Sequence, residues 1–276
     1  MARGSPVICP VGWLPAFSPD IPDHVTRFVL LSTQRSGSTW VVDMLNSHPG
    51  VVAYTELFIH GASTRTKWAG EKDIEFWQVL VKKEGSPKGR IGRTRLLWDY
   101  LGQVYRDRPG VDAVGFKLMY SQLQVSKPLV PALVLKRPRV VHLVRRNGLD
   151  IVLSKETGAA RGALHARSGE QVAAISVRLP TDDLLERLEA HDRAVEKARR
   201  RFRRLRLPYL EIAYEDLVRE QAQGFERIFD FLGVPGTGEL SSSLQKLNPT
   251  SHEQVIENYD EVRELLTGTR FEGQLH

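Results

Sequence analysis

Arg27-Phe28-Val29-Leu30-Leu31-Ser32-Thr33-Gln34-Arg35-Ser36-Gly37-Ser38-Thr39-Trp40 opens as an apolar run, passes through a polar turn centred on Gly37, and returns to apolar spacing at Val41, Val42, Met44 and Leu45. The pattern predicts a short buried strand, a tight turn and the first turns of a helix. A helix N-terminus leaves about four backbone N–H groups without intrahelical partners and carries roughly half a positive charge. A turn that aims those donors at one point makes an anion site. Ser36, Ser38 and Thr39 add hydroxyl donors, and Arg35 adds a planar fork suited to a tetrahedral oxyanion. The same residues would also serve an ordinary polar turn between a strand and a helix.

The Walker A loop, G-x-x-x-x-G-K-[ST], is the nearest comparison, but here no glycine stands four residues before a Gly-Lys pair and the cation precedes the glycine. A nucleoside triphosphate reading is weakened accordingly. Arg35-Ser36-Gly37-Ser38-Thr39 instead resembles the [KR]-[SAG]-G-[ST]-[ST] loop of sulfotransferases that use 3′-phosphoadenosine 5′-phosphosulfate. Arg35 stands where the cytosolic aryl and steroid branch has Lys, which points to the carbohydrate, tyrosylprotein and bacterial branches.

The chain is long enough to bury a large core in one domain, and its apolar content of 41% and charged content of 26% are ordinary globular values. A net charge of +6 favours anionic ligands and equally fits a solvated surface. Cys9 is the only cysteine, which rules out an intrachain disulfide and multi-cysteine metal sites. No apolar run is long enough for a signal peptide or a membrane span. These features lead us to expect a soluble, cytoplasmic protein with an irregular arm over 1–26 and one domain over 27–276.

Downstream of the loop, Val51 to Tyr54 reads as a second strand, with Glu56 just past its end. That is the edge where open parallel sheets place ligands. Ile59 to Arg95 is polar and rich in glycine and reads as a loop on the substrate side; Trp68, Phe76 and Trp77 would line an acceptor pocket or pack locally. Leu96 to Tyr105 reads as a short helix. Val111 to Met119 reads as a strand with Lys117 near its end, and Val140 to Val144 as a buried strand carrying a structural His142. Gly158 to Gln171 reads as a second loop. Thr181 is expected to cap a long helix whose stripe of Leu184, Leu188, His191, Val195, Ala198, Phe202 and Leu205 faces inward. The Arg199 to Arg206 cluster then falls on the outer face and last turn, a simpler account than nucleic-acid binding.

Arg145-Arg146-Asn147-Gly148-Leu149-Asp150-Ile151-Val152-Leu153-Ser154 follows the Val140 strand and resembles the family's R-N/D-P-x-D-x-x-x-S segment, with Gly148 in place of Pro. The resemblance makes Arg146 and Ser154 the ligands of the donor's 3′-phosphate. Tyr214-Glu215-Asp216-Leu217 and Phe231-Leu232-Gly233 resemble the family's Y-E-D-L and F-L-G, placing Tyr214 beside the adenine. The tail from Leu247 to Gly268 is similar to the closing helix, although the R-K-G triplet of the cytosolic branch is missing. The resemblance runs from about Arg27 to Thr269.

It implies an α/β fold, a central parallel sheet flanked by helices like that of P-loop NTPases. The implied reaction is in-line, metal-independent sulfuryl transfer from 3′-phosphoadenosine 5′-phosphosulfate to an acceptor hydroxyl on a sugar, lipid, phenol or natural product. Arg35, Ser36, Gly37, Ser38, Thr39 and Trp40 would hold the phosphosulfate. Glu56 would act as general base with Lys117 assisting at the leaving group, and His48 and His60 are the fallback bases. Acceptor specificity is expected in Ile59–Arg95 and Gly158–Leu179. No nucleic-acid partner is expected. The rival classes are a P-loop nucleotide or small-molecule kinase and a non-enzymatic protein that binds anions or nucleic acid.

Overall fold

The computed structural model describes residues 25–59, 74–85, 89–125, 128–161, 175–236, 240–242 and 251–275. Most of the expected N-terminal arm, His60 and Trp68 lie outside the described residues. Five parallel strands form the centre: β1 (Thr26–Ser32), β2 (Val51–Tyr54), β3 (Ala113–Met119), β4 (Arg139–Val144) and β5 (Tyr209–Ala213), in the order β2-β3-β1-β4-β5. After β1 the chain fills one side of the sheet and then crosses to the other. The carboxyl end of β1 is therefore the topological switch point, where open α/β sheets hold their ligands.

Alternation along the strands builds both faces. Val29, Leu31, Val114, Phe116, Leu118 and Val140 join one buried cluster, with side chains from α3 (Gly89–Val104), α5 (Leu129–Lys136) and α7 (Leu184–Leu205). Phe28, Leu30, Val141, Leu143 and Ile212 join the other, under α1 (Ser38–Asn46) and α9 (Gln221–Leu232). A third cluster seats α6 (Gly148–Arg161) against the start of α7 and against α10 (Tyr259–Leu266). No helix among the described residues is long and apolar enough to cross a membrane.

The structure corrects four local readings. The stretch read as a loop from Ile59 to Arg95 holds α2 (Trp77–Lys83) and the start of α3. The apolar face of α3 begins only at Leu97 and continues through Tyr100, Leu101 and Val104; the preceding turns carry exposed Ile91 and Arg93, so periodicity could not reveal them. Likewise α6 runs on to Arg161, past the glycine that suggests a loop from 158. Helix α7 keeps Leu184, Leu188, Val195, Ala198 and Phe202 buried, but its N-cap is Asp183 and no side chain caps it, in contrast to the expected Thr181 cap. Finally, β1 includes Thr26, which the sequence pattern assigns to the arm.

Gly115 lies opposite Phe28 in the β1–β3 ladder, and a Cβ there would stand 2.5 Å from both the Phe28 ring and its carbonyl oxygen. Gly115→Ala should therefore lower unfolding free energy by about 1–3 kcal/mol through overpacking. Urea denaturation measures this, and an unchanged midpoint would contradict the strand contact described.

Candidate active site

The chain leaves β1 and enters α1 through two residues in the left-handed region, Arg35 at φ 64° and Gly37 at φ 79°. A non-glycine residue held there costs of order 1–3 kcal/mol. Gly37 is required twice over: it adopts that φ freely, and a Cβ on it would lie 2.2 Å from Cε2 of Tyr214. The Ser36 hydroxyl donates to the Thr33 carbonyl at 2.5 Å and is thus committed within the turn. Gly37 is the N-cap of α1 and brings no capping side chain to its first turn.

On one side of this loop stand two arginines. Arg35 Nε donates to Ser154 Oγ at 2.9 Å, joining the loop to α6. Arg145 donates to the Arg35 carbonyl at 3.1 Å and to Asp150 Oδ2 at 2.6 Å, and its guanidinium carbon lies 4.7 Å from the centre of the Tyr214 ring. Its Nε is buried and has no hydrogen-bond partner among the described residues. Asp150 is held from the other side by His252 Nε2 at 2.8 Å. Burial, and then the charge of Arg145, push the Arg35 guanidinium down from its usual value.

Residue spacing points to Arg146 for this position. The structure turns Arg146 outward, where it forms a bidentate pair with Asp216 at 2.8 and 2.6 Å and stays 62% exposed. The turn after β4 explains the choice of side: the backbone N–H groups of Arg146 and Asn147 both donate to Glu215, at 3.2 and 3.1 Å. Tyr214 sits between Gly37 and Arg145, and Trp40 meets its ring edge-on at 6.0 Å.

On the other side a polar chain crosses three elements. In β3, Val114, Phe116 and Leu118 face α3, so alternation turns Lys117 toward α1. There its ammonium, only 4% exposed, donates to Thr39 Oγ1 at 3.0 Å and pairs with Glu56 Oε1 at 3.1 Å. Gln122 Nε2 donates to the second Glu56 oxygen at 2.9 Å. Spacing between motifs carries no sign that Gln122 reaches Glu56 or that Arg145 reaches the loop; only the fold brings these groups close.

A model of the family described as the sulfotransferase domain matches residues 25–261 of this chain. The chain belongs to the sulfotransferase domain family. Among solved structures, mouse sulfotransferase SULT7A1 complexed with PAP is similar at 16% identity over 76% of this chain and 60% of its own, with a TM-score of 0.37. This chain therefore spans less than two thirds of the mouse chain. The sulfotransferase from Alicyclobacillus acidocaldarius is similar at 14% identity over 90% of this chain and 92% of its own, with a TM-score of 0.40. The sulfotransferase domain of the Synechococcus PCC 7002 olefin synthase is similar at 21% identity over 77% and 76%, with a TM-score of 0.40. No curated protein matches the chain.

Two described histidines are held in buried contacts away from the loop. His48 is buried at the opposite edge of the sheet, where Nδ1 accepts from the Gly50 N–H at 3.0 Å and Nε2 meets the Gly236 carbonyl at 2.8 Å, so the structure removes it as a fallback base. His142 is fully buried between the hydroxyls of Tyr120 and Tyr209, and burial pushes its imidazole down toward the neutral form. Phe76 and Trp77 are buried, with the Trp77 ring 5.4 Å from that of Tyr100. Among the described residues no group of three or more His, Cys, Asp or Glu side chains could hold a metal ion.

Burial raises Asp150, but hydrogen bonds and charge from His252 and Arg145 outweigh it and hold the carboxyl at about 2. A carboxyl depressed on folding stabilises the protein above its unfolded value near 3.8, and that contribution is lost as pH falls toward 2. The stability gap between wild type and Asp150→Asn should stay level above about pH 5 and shrink by about 2 kcal/mol toward pH 2. Urea titrations across that range measure it; a gap independent of pH would contradict the Arg145–Asp150–His252 arrangement.

Proposed function

We propose that this sulfotransferase moves a sulfuryl group from 3′-phosphoadenosine 5′-phosphosulfate to an acceptor hydroxyl, with Glu56 as general base. The observation that carries the reading is the chain Thr39–Lys117–Glu56, which joins a carboxylate to the first turn of α1 beside the loop. The residues fit a doubly anionic donor. Arg145 keeps a buried N–H without a partner among the described residues. The charge of Arg145 bears on Arg35 from close by, which favours an anion in that place. We assign the loop, the α1 N-terminus and Arg35 to the phosphosulfate, and Arg145 with Ser154 to the 3′-phosphate. Tyr214 is assigned to the adenine.

The donor supplies an activated sulfur whose bond to the 5′-phosphate oxygen breaks as the bond to the acceptor oxygen forms. Glu56 receives the proton of the acceptor hydroxyl. As its charge falls, its hold on Lys117 weakens, and the ammonium is left to favour the charge that gathers on the leaving oxygen near Thr39. Charge-assisted hydrogen bonds are worth about 1.5–3 kcal/mol each, so loss of Arg35 should slow turnover by tenfold or more. The reaction is assigned no metal. The lone Cys9 supports a reducing compartment such as the cytoplasm. Acceptor choice is assigned to 59–95 and 158–179, of which 60–73, 86–88 and 162–174 lie outside the described residues.

Glu56→Gln should cut transfer of radiolabelled sulfuryl to a panel of sugar, phenol and lipid hydroxyls by on the order of 10²–10⁴-fold. Binding of 3′-phosphoadenosine 5′-phosphate should change little, and chelator should leave wild-type transfer intact. Near-normal transfer by the variant would overturn the base, and loss of activity in chelator would overturn the metal-free reaction. Calorimetry separates the arginines: Arg145→Met should weaken the bisphosphate by tenfold or more, whereas Arg146→Met should leave it nearly unchanged. The opposite order would return the 3′-phosphate to Arg146.

A further inference from the structure

Glu56 carries three rotatable side-chain bonds and sits in a turn beyond β2, so nothing in its own backbone aims the carboxylate. Its direction is set by two neighbours. Lys117 holds Oε1 and Gln122 holds Oε2. Gln122 is 4% exposed and is itself fixed, because its Oε1 accepts the backbone N–H of Met119 at 3.0 Å. An N–H group can only donate, so this bond settles which end of the amide is oxygen and leaves the NH₂ facing Glu56. Lys117 and the Met119 N–H belong to β3, and Gln122 opens the short helix α4 (Gln122–Val125) that follows it. One continuous segment thus grips both oxygens of a carboxylate that arises from another.

We propose that Gln122 is a positioning residue for the general base: its amide orients the Glu56 carboxylate so that the lone pairs not used by Lys117 and Gln122 face the acceptor. The inference rests on the assignment of Glu56 as base. An ionised carboxylate has about four lone-pair sites, and the two anchors occupy two of them. The side chain remains 21% exposed, so the others stay within reach of an acceptor. Glutamine suits the position because it must accept from a backbone N–H with one atom and donate to a carboxylate with the other. Leucine does neither, and glutamate would set a second carboxylate against the first.

The test uses Glu56→Gln, Gln122→Glu and the exchanged pair Glu56→Gln with Gln122→Glu, each assayed for transfer of radiolabelled sulfuryl to the same panel of sugar, phenol and lipid hydroxyls. Calorimetry with 3′-phosphoadenosine 5′-phosphate and thermal melting accompany each. A misplaced catalytic group costs on the order of 10²-fold, so Gln122→Glu should lose about that much in kcat while bisphosphate binding stays within about threefold. In the exchanged pair every bond can re-form in mirror image: the new amide at position 56 receives Lys117 and donates to the new carboxylate at position 122, which accepts the Met119 N–H. The melting temperature should therefore recover while turnover does not, since the carboxylate now stands in the wrong place. Recovery of turnover in the exchanged pair would mean that the carboxylate works from either position, so that its placement does not matter, and that result overturns the inference. Full activity of Gln122→Glu overturns it too. If Glu56→Gln alone is fully active, the base assignment fails first; if Glu56→Gln is inactive and Gln122→Glu is normal, only the positioning role fails.

Discussion

A turn with two left-handed residues, Arg35 and Gly37, lets β1 run straight into α1, and the charged groups of the cleft are arranged around it. The turn puts the positive end of a helix at the switch point of a parallel sheet. Tyr214 closes on Gly37 so tightly that only hydrogen fits, and the same ring supports Arg145. The loop, the α6 segment and the start of α8 (Tyr214–Arg219) are therefore one packed unit, and a change in any of the three is felt by the others.

Burying Lys117 carries a cost that the fold meets with specific partners. Removing a lone ammonium from water costs several kcal/mol, which is offset only when its hydrogen bonds and a counter-ion are in place. Thr39 and Glu56 provide them from α1 and from the end of β2. The pair adds little to stability by this account, and its use lies in register: it fixes a carboxylate against the loop. On the other half of the cleft, Asp150 and His252 do the same for Arg145, holding a cation in place where Arg35 repels it.

Much of this was legible in the sequence. The β1 strand, the polar turn and the strands carrying Lys117 and His142 follow from apolar runs with local punctuation, and the family resemblance rests on residues within single segments. The convergence of Glu56 with Lys117 was expected from strand ends alone, because a parallel sheet gathers its carboxyl ends on one edge. Which of Arg145 and Arg146 turns toward the loop was harder to read. Spacing along a chain does not report that Asp216 waits outside to take Arg146, nor that Asp150 turns Arg145 inward. Helix α3 was misjudged for a related reason: its first turns are carried by propagation from a packed end and leave no apolar stripe. Gln122 illustrates the general limit. Its amide joins a backbone N–H in the adjoining strand to a carboxylate from a distant segment, and no pattern in the local sequence encodes the second contact.

The loop with the α1 N-terminus and the Arg145 side of the cleft are proposed to hold the two anionic ends of one nucleotide. Calorimetric titration of the full chain with 3′-phosphoadenosine 5′-phosphate, with ATP in parallel and chelator present, tests it most directly. The account predicts tight binding of the bisphosphate, with little affinity for ATP. Preference for ATP, or no binding of either nucleotide, would contradict it.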